Sequence, residues 1–375
     1  MKRKNFNQCK NDQSDMYCKN SKRQKTISSA EDSQLIRSKT KVKIQTSLEQ
    51  NPWCAHGPTI LFERICPELE DYKPTAFYSC SAYRDRKECG AYFPADNDMN
   101  CTVSKQKMLK WKQILTLESN IKRPQISKHS PNFCKNCNTL VNIDSTSHKN
   151  HKVISMKVNE VSLPTLNSLL ETKHVSTKEA QYHFSKSTLK VLLNQFILQS
   201  NKNVKVVCVG TPRIHEAIVS SKLKGTAQEI KSILMDIDVR LRPFYDSSSS
   251  TWGTFCHYNM FNHFFFRDTE REEYLTFLKG NEDVIIITDP PFGGKCELIG
   301  RSLNIIREDV TKVRNKKSIA NIMWIFPYYM ERQIQQEITD IRMSDYQVCY
   351  ETKDANSYKD GLETGNSGCR KVRLI

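Results

Sequence analysis

Asp289-Pro290-Pro291-Phe292 places a carboxyl group, two ring-locked residues and an aromatic face in four consecutive positions. An exocyclic amine on a flat heterocycle gives its lone pair to the ring. Before it can attack an electrophilic methyl group it must be positioned and polarised. The Asp289 carboxylate and the Pro290 carbonyl each suit one N–H of such an amine, while Phe292 suits stacking on the base, and the chemistry needs no metal. On those four residues alone the pattern describes equally well a strand ending in a tight turn over a core Phe.

The elements around the tetrapeptide tip that balance. Ile285-Ile286-Ile287-Thr288 is a β-branched run stopped by Pro-Pro, as in a parallel-sheet strand whose carboxyl end opens into a functional loop. Upstream, Val204 to Val209 runs into Gly210-Thr211-Pro212-Arg213, a first β-α unit in which a bare glycine lets backbone approach a methyl donor. Ile233-Leu234-Met235-Asp236 ends a second strand on an acid placed to accept from ribose hydroxyls, with Asp238 as the alternative. The aromatic run Phe255 to Phe266 reads as core, yet Asn259, Met260 and Phe261 sit where a third-strand loop could sandwich the donor's adenine. Leu189, Leu192, Leu193, Phe196 and Ile197 share one helical face behind Ala180-Gln181-Tyr182-His183-Phe184.

Later segments complete the alternation. Ser247 to Thr251 is a flexible connector. A helix carries Leu298, Ile299, Leu303 and Ile306, followed by a basic loop, Arg307 to Lys317. There Lys312, Arg314, Lys316 and Lys317 suit phosphates or simply a solvated turn. Ile322 to Pro327 is a buried strand, and Tyr346 to Tyr350 and Lys371 to Ile375 are closing strands. The expected class is α/β, a doubly wound Rossmann-like sheet ending in a reversed strand over residues 156–375.

Ahead of it lie two sets of soft ligands. Cys54, His56, Cys80 and Cys89 frame a hairpin-sized segment, 51–100, and Cys134-x2-Cys137-x10-His148-x2-His151 frames another, 101–155. Thiolates and imidazoles suit structural zinc, which can hold a segment too small to fold unaided. The second set ends in a gap shorter than in ordinary DNA-reading fingers, and His129 competes as a ligand. Cys66 and Cys101 do not fit the spacing. Trp111 to Leu117 is a short helical or strand-like run.

The chain has 375 residues, 57 Lys+Arg against 41 Asp+Glu and a formal charge of +16, which points to a polyanionic partner such as nucleic acid. No apolar run is long enough to span a bilayer, and the Lys- and Asn-rich start is not a signal peptide. The expectation is an intracellular protein with no membrane partner, whose 14 cysteines are reduced thiols or metal ligands rather than a disulfide framework. Residues 1–50 are polar and read as a disordered tail with free thiols at Cys9 and Cys18. Its clusters Lys2-Arg3-Lys4 and Lys22-Arg23-Gln24-Lys25 suit nuclear import, a nucleic-acid arm or plain solvation.

The first ligand set resembles the GRF zinc finger, a single-stranded nucleic-acid binder. That resemblance assigns the ligands to Cys54, His56, Cys80 and Cys89 and offers Tyr78, Arg84, Arg86 and Lys87 for gripping RNA. Asp-Pro-Pro-Phe resembles the signature of N6-adenine methyltransferases. The whole order, from the GRF finger through Val-Gly-Thr-Pro-Arg, Leu-Met-Asp-Ile-Asp and Cys-His-Tyr-Asn-Met-Phe-Asn to Asp-Pro-Pro-Phe-Gly-Gly, resembles the zinc-finger CCHC-domain ribosomal RNA N6-adenosine methyltransferases over Cys54 to Ile375.

The resemblance implies a class I S-adenosylmethionine-dependent enzyme with two structural zinc ions. It would methylate one adenosine of large-subunit (28S) ribosomal RNA, in nucleoli and cytoplasm. Asp289, Pro290, Pro291 and Phe292 would be catalytic, and Gln181, Tyr182, His183, Phe184, Gly210, Asp236, Met260 and Phe261 would contact the donor. That family continues into a Cys/His-rich region with a CCHC knuckle, so this sequence is expected to be a fragment or truncated product that keeps the donor pocket. Two other readings are an RNA-binding scaffold with an inactive domain and a methyltransferase for a guanine amine or a glutamine amide. Related sites of the last kind use Asn-Pro-Pro-Tyr or Asn-Pro-Pro-Phe.

Overall fold

The computed structural model describes residues 39–45, 47–65, 73–83, 85–96, 98–101, 110–115, 132–137, 139–141, 148–155, 184–198, 203–220, 229–245, 254–315, 320–350 and 369–374. The expectations for Cys9, Cys18, both basic tail clusters, Cys66, Arg84, His129, Gln181, Tyr182, His183, the Ser247 connector, Lys316 and Lys317 lie outside them.

Small sheets come first. β1 (Lys39–Lys43), β4 (Ile60–Ile65), β5 (Thr75–Ser79) and β6 (Tyr92–Pro94) form an antiparallel sheet in that order, and β2 (Trp53–Cys54) pairs with β3 (Gly57–Pro58). The expected tail of 50 residues is thus corrected. Lys39-Thr40-Lys41-Val42-Lys43 is a strand hydrogen-bonded along β4, with Val42 packed on the core, and Leu48 is buried. Three lysines around one Val give no apolar period, so it is the neighbouring strand that specifies β1. Residues 110–115 are helical. β7 (Asn132–Cys134) then lies between β8 (Thr139–Val141) and β9 (Val153–Ser155).

The main sheet is built from α1 (Lys186–Leu198), β10 (Val204–Val209), α2 (Pro212–Ser220), β11 (Ile230–Asp236), β12 (Thr254–Asn259), β13 (Phe264–Phe265), α3 (Asp268–Leu278), β14 (Asp283–Thr288), α4 (Cys296–Arg314), β15 (Asn321–Pro327), α5 (Glu331–Glu337), β16 (Gln347–Cys349) and β17 (Cys369–Leu374). Its order is β13-β12-β11-β10-β14-β15-β17-β16. β12, β11, β10, β14 and β15 run parallel, and β17 is reversed between β15 and β16. This is the doubly wound sheet with a reversed closing strand that the alternation predicts.

Side chains alternate between the two faces with the period of a strand. Val206, Cys208, Ile285 and Ile287 pack with Leu192 of α1 and Ile214 and Ile218 of α2. Val207, Val209 and Ile286 pack with Tyr274 and Leu278 of α3, Leu303 and Ile306 of α4 and Ile334 of α5. The small sheets join these cores. Leu48 and Ile60 extend the α3–α5 face, and Phe133 of β7 extends the α1–α2 face. Both ligand-bearing segments therefore contribute side chains to the cores of the main sheet.

Two further expectations change. The basic loop from Arg307 is helical through Arg314, because Leu303, Ile306 and Val310 continue the buried stripe of α4. Lys312 pairs with Glu308 at 3.1 Å and Arg307 with Asp340 at 2.8 Å, while Arg314 donates to the Leu278 and Glu282 carbonyls. Cys54, Cys80, Cys89, Cys134 and Cys137 are among the free thiols, but Cys349 is disulfide-bonded, with Cys369 opposite it in the β16–β17 register. Among the described residues no helix is long and apolar enough to cross a membrane.

α4 and α5 meet where Gly300 has no side chain: a Cβ there would lie 2.5 Å from the Glu337 Cβ. Alanine in a helix gains about 1 kcal/mol over glycine, but overpacking costs about 1–3 kcal/mol. Gly300→Ala is therefore expected to lower the melting temperature in a thermal unfolding experiment.

Candidate active site

Four adjacent parallel strands end at one edge. In sheet order β12, β11, β10 and β14 deliver Asn259, Asp236, Gly210 and Asp289 there, the edge at which open α/β sheets bind ligands. Gly210 has φ +67°, and its N–H donates to the Met235 carbonyl at 2.9 Å. A Cβ at Gly210 would lie 2.6 Å from the movable Met260 Cε, so it is the left-handed φ that calls for glycine here. Asp236 is buried and its Oδ1 accepts from the Asp238 N–H at 2.8 Å. The alternative, Asp238, is engaged elsewhere, its carboxylate accepting from Arg240 Nε at 2.8 Å and 3.0 Å.

Asp289 follows the last residue of β14, and burial pushes its carboxyl up to about 8, with the Tyr350 hydroxyl drawing it partly back down. That hydroxyl donates to Asp289 Oδ1 at 3.1 Å. Tyr350 in turn stacks on Phe184, ring centroids 5.2 Å apart and planes 21° from parallel, and the two residues form a backbone bridge. Phe184 is thus tied to the acid through Tyr350, which sequence reasoning treated only as the end of a closing strand. Its sole advance signal is an aromatic with a polar tip at a strand end, 61 residues from Asp289.

The Pro-Pro loop is closed by a second residue that the sequence did not single out. The Gly294 N–H donates to the Pro291 carbonyl at 2.7 Å, and a Cβ on Gly294 would lie 2.9 Å from that oxygen and 3.0 Å from the Phe261 ring. Pro290 is buried, and Phe292 is half-buried, meeting Phe326 edge to face at 6.0 Å. The edge therefore combines a left-handed glycine turn, a buried acid, an apolar Met260 and a carboxyl beside an aromatic ring. These groups suit a nucleoside-bearing methyl donor on one side and a flat amine-bearing base on the other.

The Cys/His sets also assemble. Cys54, His56, Cys80 and Cys89 form one cluster and Cys134, Cys137, His148 and His151 another, with all ligand atoms of each within 4.8 Å of one another. In the first, Cys80 Sγ lies 3.5 Å from His56 Nδ1. In the second, Cys134 and Cys137 lie 3.5 Å and 3.2 Å from His151 Nδ1, and the two imidazole Nδ1 atoms are 3.2 Å apart. A zinc tetrahedron with ordinary N and S bond lengths has edges of about 3.3–3.8 Å. The donor sets could hold zinc. Cys101 instead forms a backbone bridge with Ala95.

The first cluster is clamped to the β12 loop. Asn259 Nδ2 donates to the His56 carbonyl and to Ser81 Oγ, both at 2.9 Å, while its Oδ1 accepts from the Phe261 N–H at 3.1 Å. Asn262 Nδ2 donates to the Pro58 carbonyl at 2.8 Å and reaches the His56 carbonyl at 3.3 Å. Gly57, at φ +91°, would drive a Cβ to 2.5 Å from the Phe264 ring. Asn259, expected as one residue that could sandwich adenine, is thus fully buried and holds the ligand loop. Met260 and Phe261 lie between the two asparagines, and Phe261 is largely buried. Tyr78 is a further correction: it is buried, with its hydroxyl on the Met99 carbonyl at 2.7 Å, so it cannot grip RNA. Arg86 and Lys87 are exposed, Arg86 lying 4.3 Å over the Tyr92 ring.

The family described as probable N6-adenine methyltransferase matches residues 175–363, half of the chain. Curated relatives include an rRNA N(6)-adenosine-methyltransferase ZCCHC4 of Xenopus tropicalis, 33% identical over 318 residues, with 81% of this chain and 63% of that protein covered. The Homo sapiens protein of the same name is 33% identical over 316 residues, covering 80% and 59%, and the Bos taurus one 35% identical over 318 residues, covering 79% and 59%. The chain thus spans about three fifths of the length of these relatives.

An acid whose folded pKa is raised from 3.8 to about 8 binds a proton that the unfolded chain has released, so stability falls as pH rises through that window. Asp289→Asn removes the titration. The variant is expected to melt with the parent near pH 4 and a few degrees above it at pH 9, as read by scanning calorimetry across pH.

Proposed function

We propose that this chain, which belongs to the N6-adenine methyltransferase family, transfers a methyl group from S-adenosylmethionine to N6 of one adenosine in large-subunit (28S) ribosomal RNA. The observation that carries the reading is Asp289-Pro290-Pro291-Phe292 at the carboxyl end of β14, beside the Gly210 cradle at the end of β10. The relatives' names supply the RNA class. The basic clusters Lys2-Arg3-Lys4 and Lys22 to Lys25 suit nuclear import, and the nucleolar and cytoplasmic location is what the family resemblance implies.

S-adenosylmethionine, when bound, supplies an electrophilic sulfonium methyl. Gly210 would offer it bare backbone, Asp236 would accept from its ribose hydroxyls, Met260 and Phe261 would flank its adenine, and Gln181, Tyr182, His183 and Phe184 would supply further contacts. The ionised Asp289 carboxylate and the Pro290 carbonyl each accept one N–H of the target amine, turning its lone pair toward the methyl. Phe292 stacks on the base. A carboxyl near 8 is also basic enough to receive the proton that the methylated amine sheds. Each Cys/His cluster holds one structural zinc, and exposed Arg86 and Lys87 on the first meet RNA phosphates.

Tritium transfer from labelled S-adenosylmethionine to unmodified large-subunit RNA, with nucleosides identified by mass spectrometry, tests the reading, and N6-methyladenosine is the expected product. Asp289→Ala should lose about 10²-fold or more of the rate while donor affinity holds; equal activity would refute the mechanism. Because the carboxylate must be ionised, the parent's rate should climb with pH to about 8. Tyr350→Phe removes the bond that lowers the acid's pKa, so its profile should move to higher pH; an unmoved profile would show that Tyr350 does not act on Asp289. Cys80→Ala should cut bound zinc from two ions to one by metal analysis.

A further inference from the structure

Tyr328 and Tyr329 have no part in the chemistry described so far, and their display is unusual. They follow Pro327, the last residue of β15, in the 3-10 turn Tyr328–Met330. β15 is the parallel neighbour of β14, with Trp324 opposite Thr288, and Phe326 touches Phe292 edge to face. The pair therefore stands at the same carboxyl edge as Asp289, one strand over. Tyr328 is 43% and Tyr329 66% exposed, Tyr329 being the most exposed large apolar residue among those described.

The turn that carries them is held firmly. Met330 packs on the core and Ile334 is fully buried, while Glu331 Oε1 accepts from the Gln335 side chain at 3.2 Å and from the Met343 N–H at 3.3 Å. The two rings stand edge to face at 81° with centroids 5.7 Å apart, so each supports the other while both stay exposed. Arg332 is exposed on the first turn of α5, three residues beyond Tyr329. Rigid exposed aromatics beside a cation are the elements with which proteins hold unpaired nucleotides, the base on the ring and the phosphate on the cation. The chain's +16 charge suits the same polyanion.

We propose that Tyr328 and Tyr329 form a stacking subsite for an unpaired nucleotide flanking the target adenosine, with Arg332 at its phosphate. The inference rests on the RNA reading above and adds a binding determinant outside the catalytic loop. An adenosine must leave its stack to reach Asp289, and a neighbour caught on Tyr329 would hold the strand splayed.

The test uses the full chain and fluorescently labelled single-stranded oligoadenylate, titrated by anisotropy at raised salt so that general charge attraction is suppressed. Tyr328→Ala/Tyr329→Ala should bind about tenfold more weakly, and Tyr328→Phe/Tyr329→Phe should stay within about twofold of the parent, since stacking needs the ring and not the hydroxyl. Donor titration calorimetry on each variant checks that the fold is kept. Equal affinity for parent and alanine variant would overturn the subsite and leave the pair to a protein ligand. Parallel tritium transfer separates the two readings: ring-dependent binding without methyl transfer keeps the subsite and refutes the activity, whereas equal KM for RNA in parent and alanine variant refutes the subsite alone.

Discussion

Asn259 and Asn262 set buried carboxamides against the main-chain oxygens of His56 and Pro58, and a buried amide deprived of such partners costs about 1–3 kcal/mol. That constraint fixes more than a packing contact. Between the two asparagines lie Met260, whose Cε occupies the space a Gly210 side chain would need, and Phe261, whose ring closes on Gly294. The first Cys/His cluster, the glycine turn after β10 and the Pro-Pro loop after β14 therefore share one mechanical reference. A finger that merely delivered RNA would not need to bury Asn259 completely.

The sheet supplies the other half of the arrangement. Parallel register sets Val209 opposite both Met235 and Thr288, so the residues that follow them emerge side by side without any loop having to find its place. Against this order stands Asp289, an acid kept where ionisation is costly. The Tyr350 hydroxyl offsets part of that cost and leaves the group poised near neutrality instead of at either extreme. Stability is traded for a carboxyl whose basicity suits an amine substrate.

Much of this was legible in the residues. Ile285 to Phe292, Val204 to Gly210 and Leu234 to Asp236 combine β-branched runs with turn residues, and such runs announce both the strand and the end that matters. The two ligand sets could be read because thiolate and imidazole spacing has few other uses. What escaped notice depends on partners distant in sequence. Lys39 to Lys43 became a strand because β4 offered it a hydrogen-bonding edge. Asn259 looked like a pocket residue and proved, with Asn262, to be a tie. Arg307 to Arg314 looked like a loop because its charges hide a buried stripe three and four residues apart. Tyr350 and Gly294 matter only through what they touch, and no local pattern carries that information.

The clamp also sets a waiting time. Asn259 lies 203 residues after His56, so on a ribosome adding about 5–20 residues per second the first finger emerges roughly 10–40 s before its tie exists. Through that interval the Cys54 to Pro58 loop lacks this tie and relies on nearby contacts and its four ligands. An ion captured early would carry the finger across the gap, and the sheet would then close around a module already formed.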